Sequence, residues 1–197
     1  NARSVKNKTS RLHDTIIDRG IDIMAVSETW LRQEDPVAIS ELTPCGYQLK
    51  HIARPCGKDG YGGVGIVYKS TIDIAVVPSP RKHTFESMEL VFHEHSNTTR
   101  IIVIYRPPRS KKNGMSPSAF FEEFAEYMQH HTVSPGQLIV IGDFNFHMDI
   151  PTDVNRTHMC NLLESLDLKQ HVREHTHKSG HILDLIVTRS EHTINNL

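Results

Sequence analysis

A chain of 197 residues with 38% hydrophobic and 23% charged side chains is of single-domain size and long enough to bury a sizeable core. Its formal net charge of -1 argues against a binder that works through a global basic field, yet leaves room for an enzyme that grips its substrate locally. No apolar run approaches membrane-spanning length, and the three cysteines, Cys45, Cys56 and Cys160, form no CxxC pair, which reads as a reduced, intracellular protein without a disulfide framework.

In chain order, Lys8 to Arg19 places Leu12, Ile16 and Ile17 on one helical face before a stop at Gly20. Ile21 to Val26 reads as a strand that delivers Glu28, Thr29 and Trp30 at its end. Arg32 to Asp59 reads largely as loop, punctuated by Pro36, Pro44, Pro55 and Gly57. Val64 to Tyr68 and Ile72 to Val77 are β-rich runs that predict a hairpin through Lys69-Ser70-Thr71, and Ser87 to His93 with Arg100 to Tyr105 predict a second adjacent pair. Ser116-Pro117 supplies a cap and a first-turn proline to a helix through Phe120, Phe121, Phe124 and Met128. Gln137 to Ile141 is expected as a strand buried on both faces, Asn155 to Leu166 as a capped helix, and Ile182 to Val187 as the last strand. Neighbouring strand pairs with helices between them imply an α/β (α+β) sandwich, two stacked sheets with helices outside.

Polar residues stand where apolar strands stop: Glu28 after IDIMAV, Tyr105 closing RIIVIY, Asp143 and Asn145 after QLIVI. Asp184 is the lone charge within ILDLIV, where burial would require a partner. Any one of these reads as a cap or an Asx turn. Together they are the side-chain types that handle a metal ion and a phosphate. In extended chain Asp143 and Asn145, two residues apart, would face the same side.

The ordered blocks NARSVKNK (Asn1 to Lys8), ETWL (Glu28 to Leu31), GGVGIVYK (Gly62 to Lys69), IVIYRPP (Ile102 to Pro108), GDFNFH (Gly142 to His147) and HTHKSGHILDLIVTRS (His175 to Ser190) span nearly the whole chain. In these blocks it resembles the endonuclease/exonuclease/phosphatase superfamily, the DNase I-like fold, and within it the endonuclease domain of LINE-type (non-LTR) retrotransposons. The resemblance implies a four-layer α/β/β/α sandwich and a Mg²⁺-dependent hydrolase (Mn²⁺ being the other candidate) that nicks double-stranded DNA. It implies that Asp143 activates water and that Asn145 holds that water or a phosphate oxygen. Glu28 would bind the metal with Asn1 beside it, at the end of a first core strand, and Tyr105 would donate to the phosphate. Asp184 would pair with a histidine of a terminal Ser-Asp-His motif, and Thr176 would lie in a loop that touches DNA. The resemblance further implies a nuclear protein with a reverse transcriptase domain downstream. Both ends of the chain read as cut, with the Ser-Asp-His strand expected beyond Leu197, so the 197 residues alone are expected to be nearly inactive. Alternatives on the same fold are an abasic-site nuclease, a deadenylase or a lipid or inositol phosphoesterase. A degenerate, non-catalytic remnant is the alternative of another class.

Other signals carry less. Gly60 to Gly65 spells GxGxxG but precedes a strand, so it reads as a tight turn and not as a dinucleotide fingerprint. His171, His175, His177 and His181 match no zinc-finger spacing and read as a solvated loop. Arg106, Arg109, Lys111 and Lys112 form a basic run that reads either as a solvated loop or as a contact to the phosphate backbone, with Arg106 and Arg109 as candidate substrate-binding residues. Trp30 is expected to pack beneath the metal site.

Overall fold

The structure, a computed structural model, describes residues 1–32, 35–54, 61–110 and 114–194. Three strands make a small antiparallel sheet: β1 (Ile23–Ser27), β2 (Tyr47–Ile52) and β3 (Val64–Lys69), in the order β1-β3-β2. Six make a larger one: β4 (Ile74–Val77), β5 (Glu86–Glu94), β6 (Asn97–Tyr105), β7 (Gln137–Asp143), β8 (Leu168–Gln170) and β9 (Asp184–Arg189), in the order β4-β5-β6-β7-β9-β8. Only β6 and β7 pair in parallel, and the crossover between them carries the helix α3 (Pro117–Thr132), as a parallel pair requires.

The two-residue alternation of strands sorts side chains into layers. On β6, Ile101, Val103 and Tyr105 join Val64, Ile66, Met88 and Leu90 in a core between the sheets. Ile102 and Ile104 turn the other way, into a core with Phe120, Phe124 and Met128 of α3 and with Met159 and Leu163 of α4 (Val154–Ser165). The far face of the small sheet, with Val26 and Val67, packs on Ile16 of α1 (Thr9–Asp18) and Leu42 of α2 (Pro36–Leu42). Those three cores separate four layers, the α/β/β/α sandwich expected. The first of the two capped helices starts as read, Ser116 capping α3 through Ala119 N at 3.1 Å, whereas α4 begins one residue before the expected Asn155, with Asp153 as its cap through Asn155 N at 2.7 Å.

Several expectations are corrected. The segment after Arg32 holds α2 and β2. Strand β2 alternates half-buried Tyr47, Leu49 and His51 with exposed Gln48, Lys50 and Ile52, an edge pattern with too few apolar residues to stand out. The expected hairpin after Val64 does not form, because β3 is already paired on both sides by β1 and β2, and the chain crosses to the other sheet to make β4 against β5. Strand β8 had no sequence signal. Residues 1–8 form no strand, although Ala2 N and Ser4 N donate to the Ser27 and Glu28 carbonyls at 2.9 Å, so the segment lies along the end of β1. No helix among the described residues is long and apolar enough to cross a membrane.

Candidate active site

Register builds the site. Glu86 lies opposite Tyr105, Tyr105 opposite Asp143, and Asp143 opposite Asp184, so one rung across β5, β6, β7 and β9 carries four polar side chains. Tyr105 faces the gap between the sheets, and side chains opposite one another in a sheet share a face. The rung therefore lies at the open end of that gap.

The small sheet supplies the opposing group. Chain leaving β1 bends through left-handed Glu28 (φ 53°) and Trp30 (φ 52°), a conformation that non-glycine residues hold only when their surroundings impose it. The imposing contacts are visible: Thr29 N and Trp30 N donate to the Gly63 and Gly62 carbonyls at 3.1 and 2.8 Å. The Glu86 carboxylate accepts from Gly63 N at 2.5 Å and pairs with Arg54 Nε at 2.6 Å. A β-carbon at Gly62 would sit 2.6 Å from that carboxylate, so only glycine fits the turn. Glu86 thus braces the glycine turn that holds Glu28. Sequence reading missed it; its place at the start of β5, in register with Tyr105, was the available signal.

Asn1 joins the two sheets. Its Nδ2 donates to Glu28 Oε1 at 3.2 Å and, by a short contact, to the Asp143 carboxylate, while its Oδ1 accepts from Arg3 N at 2.9 Å. The Tyr105 phenol lies close enough to Glu28 to feel its charge. Burial first, then the Glu28 charge, pushes the Tyr105 phenol well above its ordinary range, so it stays a proton donor at every physiological pH. Asp143 is 2% exposed, and burial together with the nearby Asp184 charge raises its carboxyl to about 6, against the partial opposition of hydrogen bonds from Asn1 and Asn145.

Asp143 and Asn145 meet through a turn and not through extended alternation. Asn145 is left-handed (φ 51°), its backbone N donates to Asp143 Oδ1 at 2.9 Å, and its Nδ2 donates to the Arg106 carbonyl at 2.8 Å. The Asx turn that explains the residues without chemistry is present, and it fixes the carboxylate beside Glu28 and Tyr105 at the same time. Asp184 is the first residue of β9, not one inside a buried run; its side chain is 27% exposed and its Oδ1 lies 3.4 Å from the Asn1 amino group. Thr176 Oγ1 accepts from Leu183 N and Asp184 N, both at 3.0 Å, holding that strand start in place.

Arg106 is a correction. It is 3% exposed, its guanidinium donates to the Phe144 and Asn145 carbonyls at 3.2 and 3.4 Å, and it stacks 4.0 Å from the Phe146 ring. It braces the turn after Asp143 from inside and has no face left for a surface phosphate. Arg109 is exposed, whereas Lys111, Lys112, Gly60 and Cys56 lie outside the described residues. Trp30 packs edge-on against Tyr61, their ring centroids 4.5 Å apart. Of the histidines, His181 pairs with Asp149 at 2.9 Å, His171 bonds Thr188 at 2.8 Å, and His177 meets Arg3 at 2.9 Å.

Among the described residues no group of three or more His, Cys, Asp and Glu side chains gathers as a metal cluster. The mouth nevertheless gathers the Glu28, Asp143 and Asp184 carboxylates around Asn1, and a carboxyl raised by burial and by a like charge is relieved by a hard cation. One or two carboxylates with solvent access is the donor set that suits Mg²⁺ or Mn²⁺.

Comparison with known proteins agrees with this architecture. The model of the Endonuclease/Exonuclease/phosphatase family matches residues 1–195. The endonuclease domain of TRAS1, a telomere-specific non-LTR retrotransposon, superposes with TM-score 0.66 at 13% identity, covering 93% of this chain and 80% of that one. The 3′ phosphatase NExo from Neisseria, bound to a product DNA hairpin, gives 0.58 at 19% identity over 95% and 83%. An AP endonuclease from Archaeoglobus fulgidus gives 0.63 at 16% identity over 95% and 84%. No curated protein matches this chain. At these identities the likeness is one of fold.

Proposed function

The chain belongs to the endonuclease/exonuclease/phosphatase family, and on that premise we propose that it is a divalent-metal-dependent DNA endonuclease that nicks double-stranded target DNA for a non-LTR retrotransposon. The observation that carries the reading is the convergence of Glu28, from one sheet, on the Tyr105–Asp143–Asp184 rung of the other through Asn1.

Glu28, with Asn1 beside it, would hold Mg²⁺ or Mn²⁺. The bound ion would supply Lewis-acid stabilisation of charge on a phosphate oxygen. Asp143, its carboxyl raised to about 6, stands where a group poised near neutrality takes a proton from water. That water, steered by Asp143 and Asn145, would form the new P–O bond as the P–O3′ bond breaks, the departing 3′-oxygen taking a proton from solvent water, to leave a 3′-hydroxyl and a 5′-phosphate. Tyr105, kept protonated, donates to the phosphate as its charge grows. Asp184 would orient a histidine supplied by a Ser-Asp-His strand. A nick with a free 3′-hydroxyl is what a reverse transcriptase on the same polyprotein would extend.

The test is relaxation of supercoiled plasmid by the chain extended with the Ser-Asp-His strand that the resemblance calls for. Mg²⁺-dependent nicking, lost in Glu28→Ala and Asp143→Asn, is expected. Removing one preorganised group of this kind costs on the order of 10²–10³ in rate. Hydrolysis of poly(A) or phospholipid in place of duplex DNA would replace this reading with another of the same fold.

A further inference from the structure

A cleft of about 390 Å³ opens beside the catalytic rung, between the end of β2, the segment entering β5 and the chain just after β6. We propose that it is a subsite for one nucleotide of the cleaved strand, flanking the scissile phosphate. The proposal rests on the nuclease reading and adds where the substrate strand runs.

Size and chemistry point the same way. A few hundred cubic ångströms is the scale at which clefts hold a small organic ligand. One wall is apolar, formed by Ile52, Pro80, Phe85, Pro107 and Met115, a surface for a base and its sugar. The other part is polar, with Arg81, Lys82 and His83 beside the Arg54–Glu86 ion pair. Arg81 and Lys82 add positive charge to the mouth of this small cleft on a chain of net charge -1, and the phosphate backbone of a nucleic-acid strand is the partner such a mouth fits. Arg81 is exposed, and Lys82 is held 4.7 Å over the Tyr127 ring.

Position ties the cleft to the chemistry. Glu86 lines it and also occupies the rung, two strands from Asp143. At the ordinary spacing of strands that places the cleft roughly 10 Å from the reacting phosphate, within a nucleotide or two along a strand. The cleft is also preformed. The Glu123 carboxylate of α3 accepts from His83 N and Thr84 N at 2.8 Å and from Thr84 Oγ1 at 2.6 Å, fixing the cationic segment on the helix. These bonds hold the Glu123 carboxyl below its ordinary range. A wall so anchored binds a strand without paying to order itself.

The experiment has two arms on the full chain. Fluorescence anisotropy of a labelled DNA duplex, titrated at several salt concentrations, compares the unaltered protein with Arg81→Ala, Lys82→Ala and the cleft-filling Ile52→Trp. Each lysine or arginine removed is expected to lower the salt slope by about 1 and the affinity by about tenfold, with thermal unfolding unchanged. In the second arm, the dinucleotide d(TpT) is titrated against the backbone amide signals of residues 79–87, with inorganic phosphate as control. Shifts with d(TpT) that Ile52→Trp abolishes support the subsite. Equal shifts with phosphate alone, or duplex affinity indifferent to all three substitutions, overturn it. Failure of the unaltered protein to bind duplex at all would instead overturn the nuclease reading beneath.

Discussion

Replacing Asp143 with Asn should remove a pH-dependent loss of stability from the metal-free protein. The ordinary aspartate value is 3.8, and burial with the Asp184 charge lifts Asp143 to about 6. Between those values the folded protein holds the proton more tightly than the unfolded chain. The stability this group contributes is therefore present in acid and is lost as pH rises through 3.8 towards 6. Two units at about 1.36 kcal/mol each amount to about 3 kcal/mol, most of which is lost between about pH 4 and about pH 7. The substituted carboxamide cannot ionise, so the gap in unfolding free energy, Asp143→Asn variant minus unaltered protein, should widen by that amount over the same interval. The donor that the new carboxamide would turn towards Asn1 Nδ2 adds a constant offset, which the slope with pH does not contain. Urea unfolding followed by circular dichroism, in chelator, from about pH 4 to about pH 8 reads it directly. A gap constant to within about 0.5 kcal/mol across the range would mean that burial and the Asp184 charge do not hold the Asp143 carboxyl above its ordinary value. Added Mg²⁺ should narrow the gap, because an ion that binds only the folded, ionised site stabilises by mass action.

Three further outcomes follow from the geometry. Gly142→Ala places a β-carbon into the Ile104 carbonyl oxygen at a φ of 150°; a loss on the order of 3 kcal/mol or more in denaturant unfolding is expected, since the obstacle is backbone. Glu86→Ala frees the Gly62-Gly63 turn, and Mn²⁺ affinity by electron paramagnetic resonance should fall by about 10–100-fold, the usual cost of removing a group that orients a metal ligand. Glu86→Gln keeps an acceptor for Gly63 N, so recovery of most of that affinity is expected; equal losses in the two variants would deny Glu86 its positioning role. Arg106→Lys loses the planar contacts to two carbonyls and the Phe146 ring. Thermal unfolding should show a stability loss of about 1–3 kcal/mol, while the salt slope of DNA binding stays unchanged because the side chain is buried.

Much of this molecule was legible in the chain alone. Period-two alternation in RIIVIY and QLIVI assigns Ile102, Ile104, Leu138 and Val140 to one face and leaves Tyr105 and Asp143 on the other, because successive side chains on a strand point oppositely. Capping chemistry at Ser116 is local too, and Ser116-Pro117 was readable because a cap depends on residues a few positions apart. The ordered motifs contain Asn1, Glu28, Tyr105 and Asp143, which meet at the mouth between the sheets.

What tertiary structure decided are the relations between segments distant in sequence. Strand β2 is held by pairing to β3, and the expected hairpin is broken because both edges of β3 are taken; neither fact has a local signature. Arg106 belonged by sequence to a basic loop, but the aromatic rings and carbonyls that bury it come from residues about 40 positions later. Glu86 drew no reading from the sequence; the register sets it opposite Tyr105, and its carboxylate accepts from Gly63 N. Local spacing fixes which way a side chain points, whereas burial and partnership depend on which surfaces the folded chain brings against it.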